Sequence, residues 1–494
     1  MPSLLSAHGL SFELPNGRVL FKNLNFSLKN EISALIGPNG IGKTCLAQLL
    51  AGELEPSAGI INRQQGVTFF SQRQSPPKIS VNEFLMAHEA WSLWREKLLD
   101  GIHRESFCSN LSGGEWMRVR LANTLDDQFL ILDEPTNDLD QEGRQYLINF
   151  LTNRKEGTLV ISHDRSCLQS CSHFLELSNH GLTELSGTWQ DYSLFKENER
   201  AKMQKALEIA TNEREAILTK RSNLKARQEK RNQEGAKKAL RGGMPKILIG
   251  ARQRQAQATT GKIDDQTFRQ AQAAIQQAVT AFKDIKVDPM MYVDLIGHTV
   301  ANQKLVAEAK NFNVYFQKWI YQNDLNFAWR GPIRKAIQGK NGSGKSTLIK
   351  SLLGHEFSTR GTIQRGNLKT IYIDQSCSML DEQKNILENV CQFAATDKAS
   401  VRNKLAQFLF VKDSVFQAVA SLSGGERMRV ALACAFLSHE KPELLILDEP
   451  TNNLDLPNIA FLENIIRQFC GALLIVSHDD FFLQNCNINE VFNV

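Results

Sequence analysis

Short apolar runs mark the strands that we expect in the first part of the chain. They are Ile32–Ile36, residues 67–70, residues 129–132 and Thr158–Ile161. Runs of this length without polar alternation are typical of strands that are buried on both faces of a parallel sheet. The first run leads through a glycine-rich loop into the apolar segment CLAQLLAG at residues 45–52. The pattern predicts an α/β fold for this part of the chain.

The middle of the chain has a different pattern. From Leu194 to about Leu240 it is rich in Lys, Glu, Arg, Gln and Ala, and it has no proline and no glycine before Gly235. This composition predicts a helix of about 40 residues and about 60 Å. Residues 242–245, GGMP, end the helix, and residues 264–283 form a second helical pattern. We therefore expect a long helical hairpin, with an apolar stripe on its first helix formed by Ala206, Ile209, Ile217 and Leu224.

This middle segment is strongly basic. Between Lys220 and Lys262 there are thirteen Lys or Arg and two Glu, a net charge of +11, whereas the whole chain has a net charge of +5. A concentrated basic segment is typical of proteins that bind a polyanion. The alternative is a solvated linker whose charges only prevent aggregation. The charge asymmetry and the turn sequence MPKILI favour a segment that binds a partner.

The composition is that of a globular protein with room for two or three domains, since 42% of the 494 residues are hydrophobic. There is no run of about 18 apolar residues that would predict a membrane span. The N-terminus lacks the basic start and apolar core of a secretion signal. The nine cysteines include no CxxC pair. We therefore expect a cytoplasmic protein with reduced thiols and without a zinc site.

Residues 37–44, GPNGIGKT, match the phosphate-loop pattern GxxxxGK[ST] between a strand and a helix. Glycines let backbone N–H groups curl around phosphates, and the helix N-terminus adds a favourable dipole. Lys43 is expected to reach the β- and γ-phosphates, and the hydroxyl of Thr44 is expected to bind Mg²⁺. The nucleotide-binding residues predicted in this loop are Gly37, Asn39, Gly40, Gly42, Lys43 and Thr44.

Further motifs follow the phosphate loop. Asp133, at the end of a buried run, is placed to hold Mg²⁺, and the next residue, Glu134, is placed to activate the attacking water. We expect Gln72 to contact Mg²⁺ and this water, and His163 to hydrogen-bond the γ-phosphate. The sequence LSGGE at residues 111–115 opens a helix and predicts a further phosphate cradle, with Ser112, Gly113 and Gly114 as its binding residues.

The same motifs return in the second half. The spacing between matched residues is 302 for Lys43 and Lys345 and 315 for His163 and His478, so the chain contains two copies of one fold. Glu449 and His478 form the second predicted catalytic pair, and Ser346, Gln375 and Asp448 the second predicted set of metal ligands. The nucleotide-binding residues predicted here are Gly339, Asn341, Gly342, Gly344, Lys345, Ser346, Gln375, Ser423, Gly424 and Gly425. The segment before them, IRKAIQ at residues 333–338, predicts only a poor buried strand.

The order of phosphate loop, Gln72, LSGGE, LILDEPTNDLD and SHD resembles an ATP-binding cassette domain. The resemblance implies a head-to-tail sandwich, in which each ATP lies between the phosphate loop of one cassette and the LSGGE of the other. Such domains place an aromatic residue against adenine. Phe12 is the candidate in the first cassette, although it is equally a candidate core residue of a strand. Tyr315 is the candidate in the second cassette, in preference to Phe312 and Phe316.

Two cassettes in one chain, no membrane domain and a basic helical linker together resemble the ABC-F family of translation factors. The resemblance implies an ATP hydrolase that uses ATP and Mg²⁺, and a linker that contacts rRNA and tRNA on the ribosome near the peptidyl-transferase centre. Only 39 residues separate Gln72 from Leu111. The helical arm that many members insert at this place is therefore not expected.

These observations predict a cassette at residues 1–193, a linker at 194–290 and a cassette at 291–494, acting as a monomer with intramolecular cassette pairing. The expected function is that of an ATPase that binds ribosomes and acts on translation, in a housekeeping or an antibiotic-resistance role. An ATPase subunit of a membrane transporter is the alternative, although the basic linker would then have no evident role. A DNA-repair or chromosome-organising role is disfavoured because zinc motifs and coiled-coil arms are missing.

Overall fold

The computed structural model of the chain describes residues 4–71, 75–85, 96, 98–123, 128–137, 139–241, 300–340, 342–394 and 397–494. The chain forms two compact units, one made of Met1–Gln190 with Met290–Val494 and the other of Asp191–Pro289. Four sequence predictions lie outside the described residues: those for Gln72, Asn341, the turn at 242–249 and the second linker helix at 264–283.

The first cassette is built on strands that match the apolar runs of the sequence. They are β1 (Leu5–Glu13), β2 (Val19–Leu28), β3 (Ile32–Ile36), β4 (Ala58–Arg63), β5 (Val67–Phe70), β6 (Phe129–Asp133), β7 (Thr158–Ile161), β8 (His173–Ser178) and β9 (Gly181–Ser186). The main sheet has the order β5-β6-β7-β3-β8-β9 and is parallel from β5 to β8. A smaller antiparallel sheet has the order β2-β1-β4.

Helices cover the faces of this sheet. They are α1 (Lys43–Ala51), α2 (Val81–Leu85), α3 (Gly113–Ala122), α4 (Gln141–Asn153) and α5 (Arg165–Leu168). Every residue of β6 and β7 is buried, because the strands have neighbours on both sides and helices above and below. The predicted α/β fold with buried parallel strands is therefore confirmed for this cassette.

A single long helix, α6 (Trp189–Arg241), follows the first cassette. Its 53 residues correspond to about 80 Å at the usual rise per residue. The helix begins five residues before the position expected from the sequence. Ile209, one of the four residues of the predicted apolar stripe, is 60% exposed. The side chains of Ile217 and Leu224 lie outside the described residues, so the predicted stripe stays a prediction.

The second cassette repeats the architecture. Its strands are β10 (Leu305–Phe316), β11 (Lys318–Trp319), β12 (Leu325–Arg330), β13 (Arg334–Gln338), β14 (Thr359–Arg365), β15 (Thr370–Ile373), β16 (Leu444–Asp448), β17 (Ala472–Val476) and β18 (Glu490–Asn493). Its helices are α7 (Lys345–Leu353), α8 (Ile386–Phe393), α9 (Lys398–Leu405), α10 (Gly424–Leu437), α11 (Leu456–Gln468) and α12 (Asp480–Asn485). The parallel sheet has the order β15-β16-β17-β13-β18.

Strand β13 forms where the sequence predicted a poor buried strand, and two of its five residues are buried. It lies between β17 and β18, and Ala336 and Ile337 are fully buried. The guanidinium of Arg334 donates hydrogen bonds of 2.8–3.0 Å to the carbonyls of Ile466, Phe469 and Cys486. These hydrogen bonds from Nη1 and Nη2 compensate for a polar side chain in the sheet.

The parallel sheets bring the predicted motifs together. Strands β3, β6 and β7 are adjacent and parallel, so the loops after them meet at one edge of the sheet. The phosphate loop, Asp133 with Glu134, and His163 each follow one of these strands. Strands β13, β16 and β17 place the corresponding residues of the second cassette in the same way. Within the described residues, no helix is both long and apolar enough to span a membrane.

Candidate nucleotide-binding sites

Each cassette contains a phosphate loop that is closed around its own lysine. In the first cassette the ammonium of Lys43 donates to the carbonyls of Gly37 at 2.7 Å and Pro38 at 3.2 Å. The φ of Gly42 is 108°, and α1 begins at the next residue. A Cβ on Gly37 would lie 2.3 Å from the carbonyl oxygen of Leu177. The two glycines are therefore required, one for its left-handed backbone and the other for a close approach.

The second phosphate loop has the same geometry. The ammonium of Lys345 donates to the carbonyls of Gly339 at 2.7 Å and Lys340 at 3.1 Å. Gly344, with a φ of 100°, precedes α7. Burial lowers the pKa of both Lys43 and Lys345, against the opposing effect of the nearby carboxylates. A buried ammonium of this kind favours the arrival of an anion such as a phosphate.

A hydroxyl and a carboxylate lie together beside each loop. The hydroxyl of Thr44 donates to Oδ2 of Asp133 at 2.7 Å, and that of Ser346 donates to Oδ2 of Asp448 at 3.3 Å. Tyr372 adds a hydrogen bond of 3.2 Å from its hydroxyl to the same Asp448 oxygen. Hydroxyl and carboxylate oxygens are the ligands that Mg²⁺ prefers. We name the set Lys43, Thr44, Asp133, Glu134 and His163 site 1, and the set Lys345, Ser346, Asp448, Glu449 and His478 site 2.

The two predicted bases have the same unusual backbone. Glu134 has a φ of 48° and Glu449 a φ of 46°. Their N–H groups donate to the carbonyls of Ile161 at 2.8 Å and Val476 at 2.9 Å. Burial raises the pKa of Glu134 to about 8 and that of Glu449 to about 7. Two residues held in a rare conformation at equivalent, largely buried positions, each with a side chain 16% exposed, are candidates for a shared chemical role.

A histidine faces each of these glutamates. Nε2 of His163 lies 3.5 Å from Oε1 of Glu134, and Nε2 of His478 lies 3.5 Å from Oε1 of Glu449. Burial lowers the pKa of His163 well below its usual value and that of His478 to about 4, so both rings are neutral. Neither ring nitrogen of the buried His163 has a hydrogen-bond partner. Orphaned polar atoms at this place fit an additional group such as a phosphate.

The cavity at site 1 is formed by both cassettes. It has a volume of about 530 Å³, which lies in the range of small-molecule sites. Lys43, Thr44 and Glu134 line it from the first cassette, and Ser423 and Gly424 line it from the second. Ser423 is the N-cap of α10, with its hydroxyl 2.7 Å from Oε2 of Glu426. The N-terminus of α10 thus faces the phosphate loop of the other cassette, as the head-to-tail arrangement predicts.

Further inter-cassette contacts come from the segment after Glu449. The backbone N–H of Asn39 donates to Oδ2 of Asp455 at 3.1 Å, and its side-chain amide donates to the carbonyl of Asn453 at 2.9 Å. Thr451 and Leu454 line the same cavity. The sequence prediction used this segment only as a family mark. The repetition of DEPTN with LD in both copies was the signal that could have indicated its role.

The residues at the end of the cavity that we expect to hold the adenine differ from the prediction. Leu14, Arg18 and Leu20 line the cavity, whereas Phe12 is 8% exposed and packs in the core against Phe21, with 6.2 Å between the ring centroids. The alternative interpretation of Phe12 as a core strand residue describes its position, and its contact with adenine stays a prediction.

Strand pairing shows which residues of the second cassette correspond to Phe12 and Leu14. Ser11 pairs with Ala58, and Asn313 pairs with Arg360. This register matches Phe12 to the buried Val314 and Leu14 to Phe316, which is 58% exposed. The predicted Tyr315 is also exposed, but its ring packs edge-on against Trp319, and Phe312 is buried in the core. We therefore propose Phe316, whose ring lies 5.8 Å from that of Phe357, as a second candidate for contact with the nucleobase, and the role of Tyr315 stays a prediction.

The remaining predicted residues are placed as follows. Ser112 is the N-cap of α3 and forms the same capping box with Glu115 as Ser423 forms with Glu426. Gly113 and Gly114 follow it, and Gly425 follows Gly424 at the start of α10. Gly40 lines the cavity of site 1, and Gly342 lies in the second phosphate loop with a φ of 80°. Gln375 lies exposed in the turn after β15, and its predicted role stays a prediction.

Comparison with known proteins agrees with this architecture. A family model described as "ABC transporter" matches residues 21–137 and 322–452. The "ATP-binding protein Uup" of Buchnera aphidicola is 32% identical over 504 residues, which cover 96% of this chain and 77% of that protein. The "ABC transporter F family member 5" of Arabidopsis thaliana is 27% identical, with 97% of this chain and 73% of that protein covered. The chain belongs to the ABC-F family of twin-cassette ATPases.

Two more comparisons extend this assignment. The "Ribosome protection protein VmlR" of Bacillus subtilis is 28% identical to this ABC-F chain, with 98% of this chain and 85% of that protein covered. A crystal structure of an archaeal ribosome recycling factor, aABCE1, in complex with the stalk protein aP1 covers 98% of this chain and 87% of its own at 17% identity, with a TM-score of 0.63. That likeness concerns the fold alone. The protein is an ATP-binding ATP hydrolase.

Proposed function

We propose that this protein binds the ribosome in an ATP-dependent manner and acts on translation through its basic linker. The observation that carries the proposal is the segment between Lys220 and Lys262, with its net charge of +11 between two cassettes. The rest of the chain has a net charge of −6. A polyanion such as rRNA or tRNA therefore has one strongly favoured region of attraction on this chain.

The described part of α6 presents basic groups to solvent. Lys202, Lys205, Arg227 and Lys230 are exposed. Exposed basic side chains neutralise phosphates without the cost of burying a charge. The similarity to a ribosome protection protein over 98% of this chain supports the same partner.

ATP hydrolysis supplies the switch in this proposal. Glu134 and Glu449 accept the proton of the attacking water, and the neutral His163 and His478 hydrogen-bond the γ-phosphate. Ser423 and the N-terminus of α10 bind the same phosphate at site 1 from the other cassette. A nucleotide that contacts both halves adds to the stability of the closed arrangement. The difference in affinity between closed and open forms is what makes ATP a switch.

Mg²⁺ belongs to the same proposal. Thr44 with Asp133 would hold it at site 1, and Ser346 with Asp448 at site 2, because each pair offers two hard oxygen atoms at one place. The described residues include no cluster of three or more His, Cys, Asp or Glu that would hold a metal by itself. When bound, the ion neutralises charge on the β- and γ-phosphates.

We also propose that the protein acts in the cytoplasm as a monomer. All nine cysteines are free thiols, as expected in a reducing compartment. Both walls of the cavity at site 1 come from one chain, so catalysis there needs no second copy.

Ribosome binding at increasing salt concentration tests the proposal. The affinity should fall steeply with salt, because neutralising phosphates releases their counterions. The triple variant Lys237→Ala, Lys238→Ala and Arg241→Ala should bind more weakly and with a shallower salt dependence. The triple variant Lys22→Ala, Lys29→Ala and Lys155→Ala removes the same charge from exposed positions of the first cassette. Equal weakening by both triple variants, or binding that salt does not change, would contradict a specific role of the linker.

A further inference from the structure

One arginine of the first cassette reaches the catalytic residues of the second. Arg144 lies in the first turn of α4, after the capping residue Asp140. Its Nη1 lies 2.7 Å from Oδ2 of Asp164, and its Nε donates to the carbonyl of Leu139 at 3.3 Å. The side chain is 13% exposed. Groups of its own cassette therefore hold the guanidinium in place, independently of its contact with the other cassette.

The same Nη1 donates a hydrogen bond of 3.4 Å to the carbonyl of His478. The ring of His478 in turn lies 3.2 Å from the ammonium of Lys345 and 3.5 Å from Oε1 of Glu449. Arg144 thus holds the backbone of a residue whose side chain contacts two groups of site 2. It also lines the cavity of site 1, so it lies between the two sites.

The second cassette has no arginine at the position that corresponds to Arg144. The spacing of 315 residues that relates His163 to His478 places Ile459 at the position of Arg144. Ile459 is 2% exposed and packs in the core of the second cassette. Its side chain has no hydrogen-bond donor, so it cannot hold the carbonyl of His163 in this way. The carboxylate that pairs with Arg144 has an equivalent in the second cassette, since Asp479 corresponds to Asp164. The arginine itself has no such equivalent, because Ile459 stands at its position.

We infer that Arg144 is a positioning residue that the first cassette supplies to site 2, and that hydrolysis at site 2 depends on it whereas hydrolysis at site 1 does not. The guanidinium fixes the loop of His478, and through that loop the ring that faces Glu449 and Lys345. The two sites of the chain are then unequal, although their motifs match. The inference rests on the proposed roles of Glu134 and Glu449, which the experiment uses to separate the sites.

Single-site turnover tests the inference. Glu134→Gln leaves only site 2 active, and Glu449→Gln leaves only site 1 active. In the first background, Arg144→Ile should lower kcat by about tenfold, or about 1.4 kcal/mol, with little change in KM. In the second background the loss should stay below about twofold. Arg144→Lys keeps a cation beside Asp164 and should retain more of the turnover of site 2 than Arg144→Ile.

Arg165 provides the matched control. Its Nη1 lies 2.5 Å from Oε1 of Glu463, which is another contact from the first cassette to the other one, and Glu463 belongs to neither site. Arg165→Ile should therefore lower turnover equally in the two backgrounds. Should Arg144→Ile unfold, the Lys variant alone decides the matter by the same comparison.

Other outcomes would overturn the inference. Equal losses at the two sites with Arg144→Ile would show that the residue only holds the cassettes together. A loss confined to site 1 would show that it serves the cavity it lines, and no loss would show that His478 needs no support. The variant with both Glu134→Gln and Glu449→Gln must be nearly inactive. If it is active, the proposed bases are wrong and the failure lies with the site assignment instead.

Discussion

The backbone N–H of Asn39 donates a hydrogen bond of 3.1 Å to Oδ2 of Asp455, and the two residues belong to different cassettes. Asn39 lies in the phosphate loop of site 1, and Asp455 caps helix α11 of the other half. A change in the phosphate loop therefore acts directly on the start of a helix in the second cassette. Together with Ser423 in the same cavity, this contact makes the first nucleotide site a shared property of both halves.

Removing the two proposed bases should stop turnover without preventing nucleotide binding. The variant Glu134→Gln with Glu449→Gln keeps the size and burial of both side chains. Loss of a general base typically lowers the rate by about 10²–10⁴-fold. Steady-state ATPase of the purified protein measures the rate, and equilibrium binding of ATP is the control. Near-normal turnover would contradict the assignment.

The composite site predicts that a serine of one cassette serves the phosphate loop of the other. With site 2 inactivated by Glu449→Gln, Ser423→Ala should lower the remaining turnover by about tenfold or more, since it removes a phosphate-binding hydroxyl and a helix cap. Ser112→Ala removes the same group from the equivalent capping box and should have little effect in this background. The reverse order of the two effects would contradict head-to-tail pairing at site 1.

Contact between the second cassette and the adenine of ATP should depend on Phe316. In the Glu134→Gln background, Phe316→Ala should raise the KM for ATP by about tenfold with little change in kcat, because stacking of a base on an aromatic ring contributes about 1–3 kcal/mol. Tyr315→Ala is the control, since the Tyr315 ring packs against Trp319 instead. A larger KM effect from Tyr315→Ala would favour the assignment that the sequence alone suggested.

Asp164 and Asp479 should respond oppositely to replacement by asparagine. Burial raises the pKa of Asp479 to about 6, above the value of 3.8 for a free side chain. Its charged form therefore destabilises the folded state above about pH 6, and this cost disappears as the pH falls towards 4. An asparagine at this position can still cap α12. The Asp479→Asn variant should therefore have a higher free energy of unfolding at pH 7.5, by at most about 3 kcal/mol, with a smaller gain at pH 5.

The equivalent substitution at Asp164 is the control for this prediction. Asp164 forms an ion pair of 2.7 Å with Arg144, so Asp164→Asn leaves a largely buried guanidinium without its carboxylate and should lower the melting temperature at pH 7.5. Thermal unfolding followed at both pH values makes the comparison. A gain for Asp479→Asn that grows towards pH 5 would contradict the sign of the pKa shift.

The phosphate loops, the carboxylates that we propose as catalytic and the histidines could be located from the sequence because each lies at the end of a short buried run or follows one. Buried runs such as 129–132 and Thr158–Ile161 need no tertiary information to be recognised. The candidate residue for contact with adenine could not be chosen in this way. The pairing of β1 with β2 shifts register around Phe12, and such a bulge changes which side chain faces the cavity.

Contacts between distant segments could not be predicted from the sequence either. Arg144, Asp455 and Tyr372 act through partners that only the folded sheets bring close to them. The hydrogen bonds of Arg334 in β13 could not be predicted because the carbonyls that accept them belong to residues more than 130 positions away. Local patterns predict elements and motifs, whereas the satisfaction of buried polar groups depends on the whole fold.

ATP-driven closure of the cassettes, in our proposal, controls ribosome binding through the basic linker. Translation in a cell extract tests this coupling, with the variant that carries Glu134→Gln and Glu449→Gln, with and without deletion of residues 241–254. We expect the double variant to stay on ribosomes with ATP and to inhibit translation, and the deletion to relieve the inhibition while ATP binding is retained. Absence of inhibition by the double variant, or equal inhibition after the deletion, would contradict the coupling.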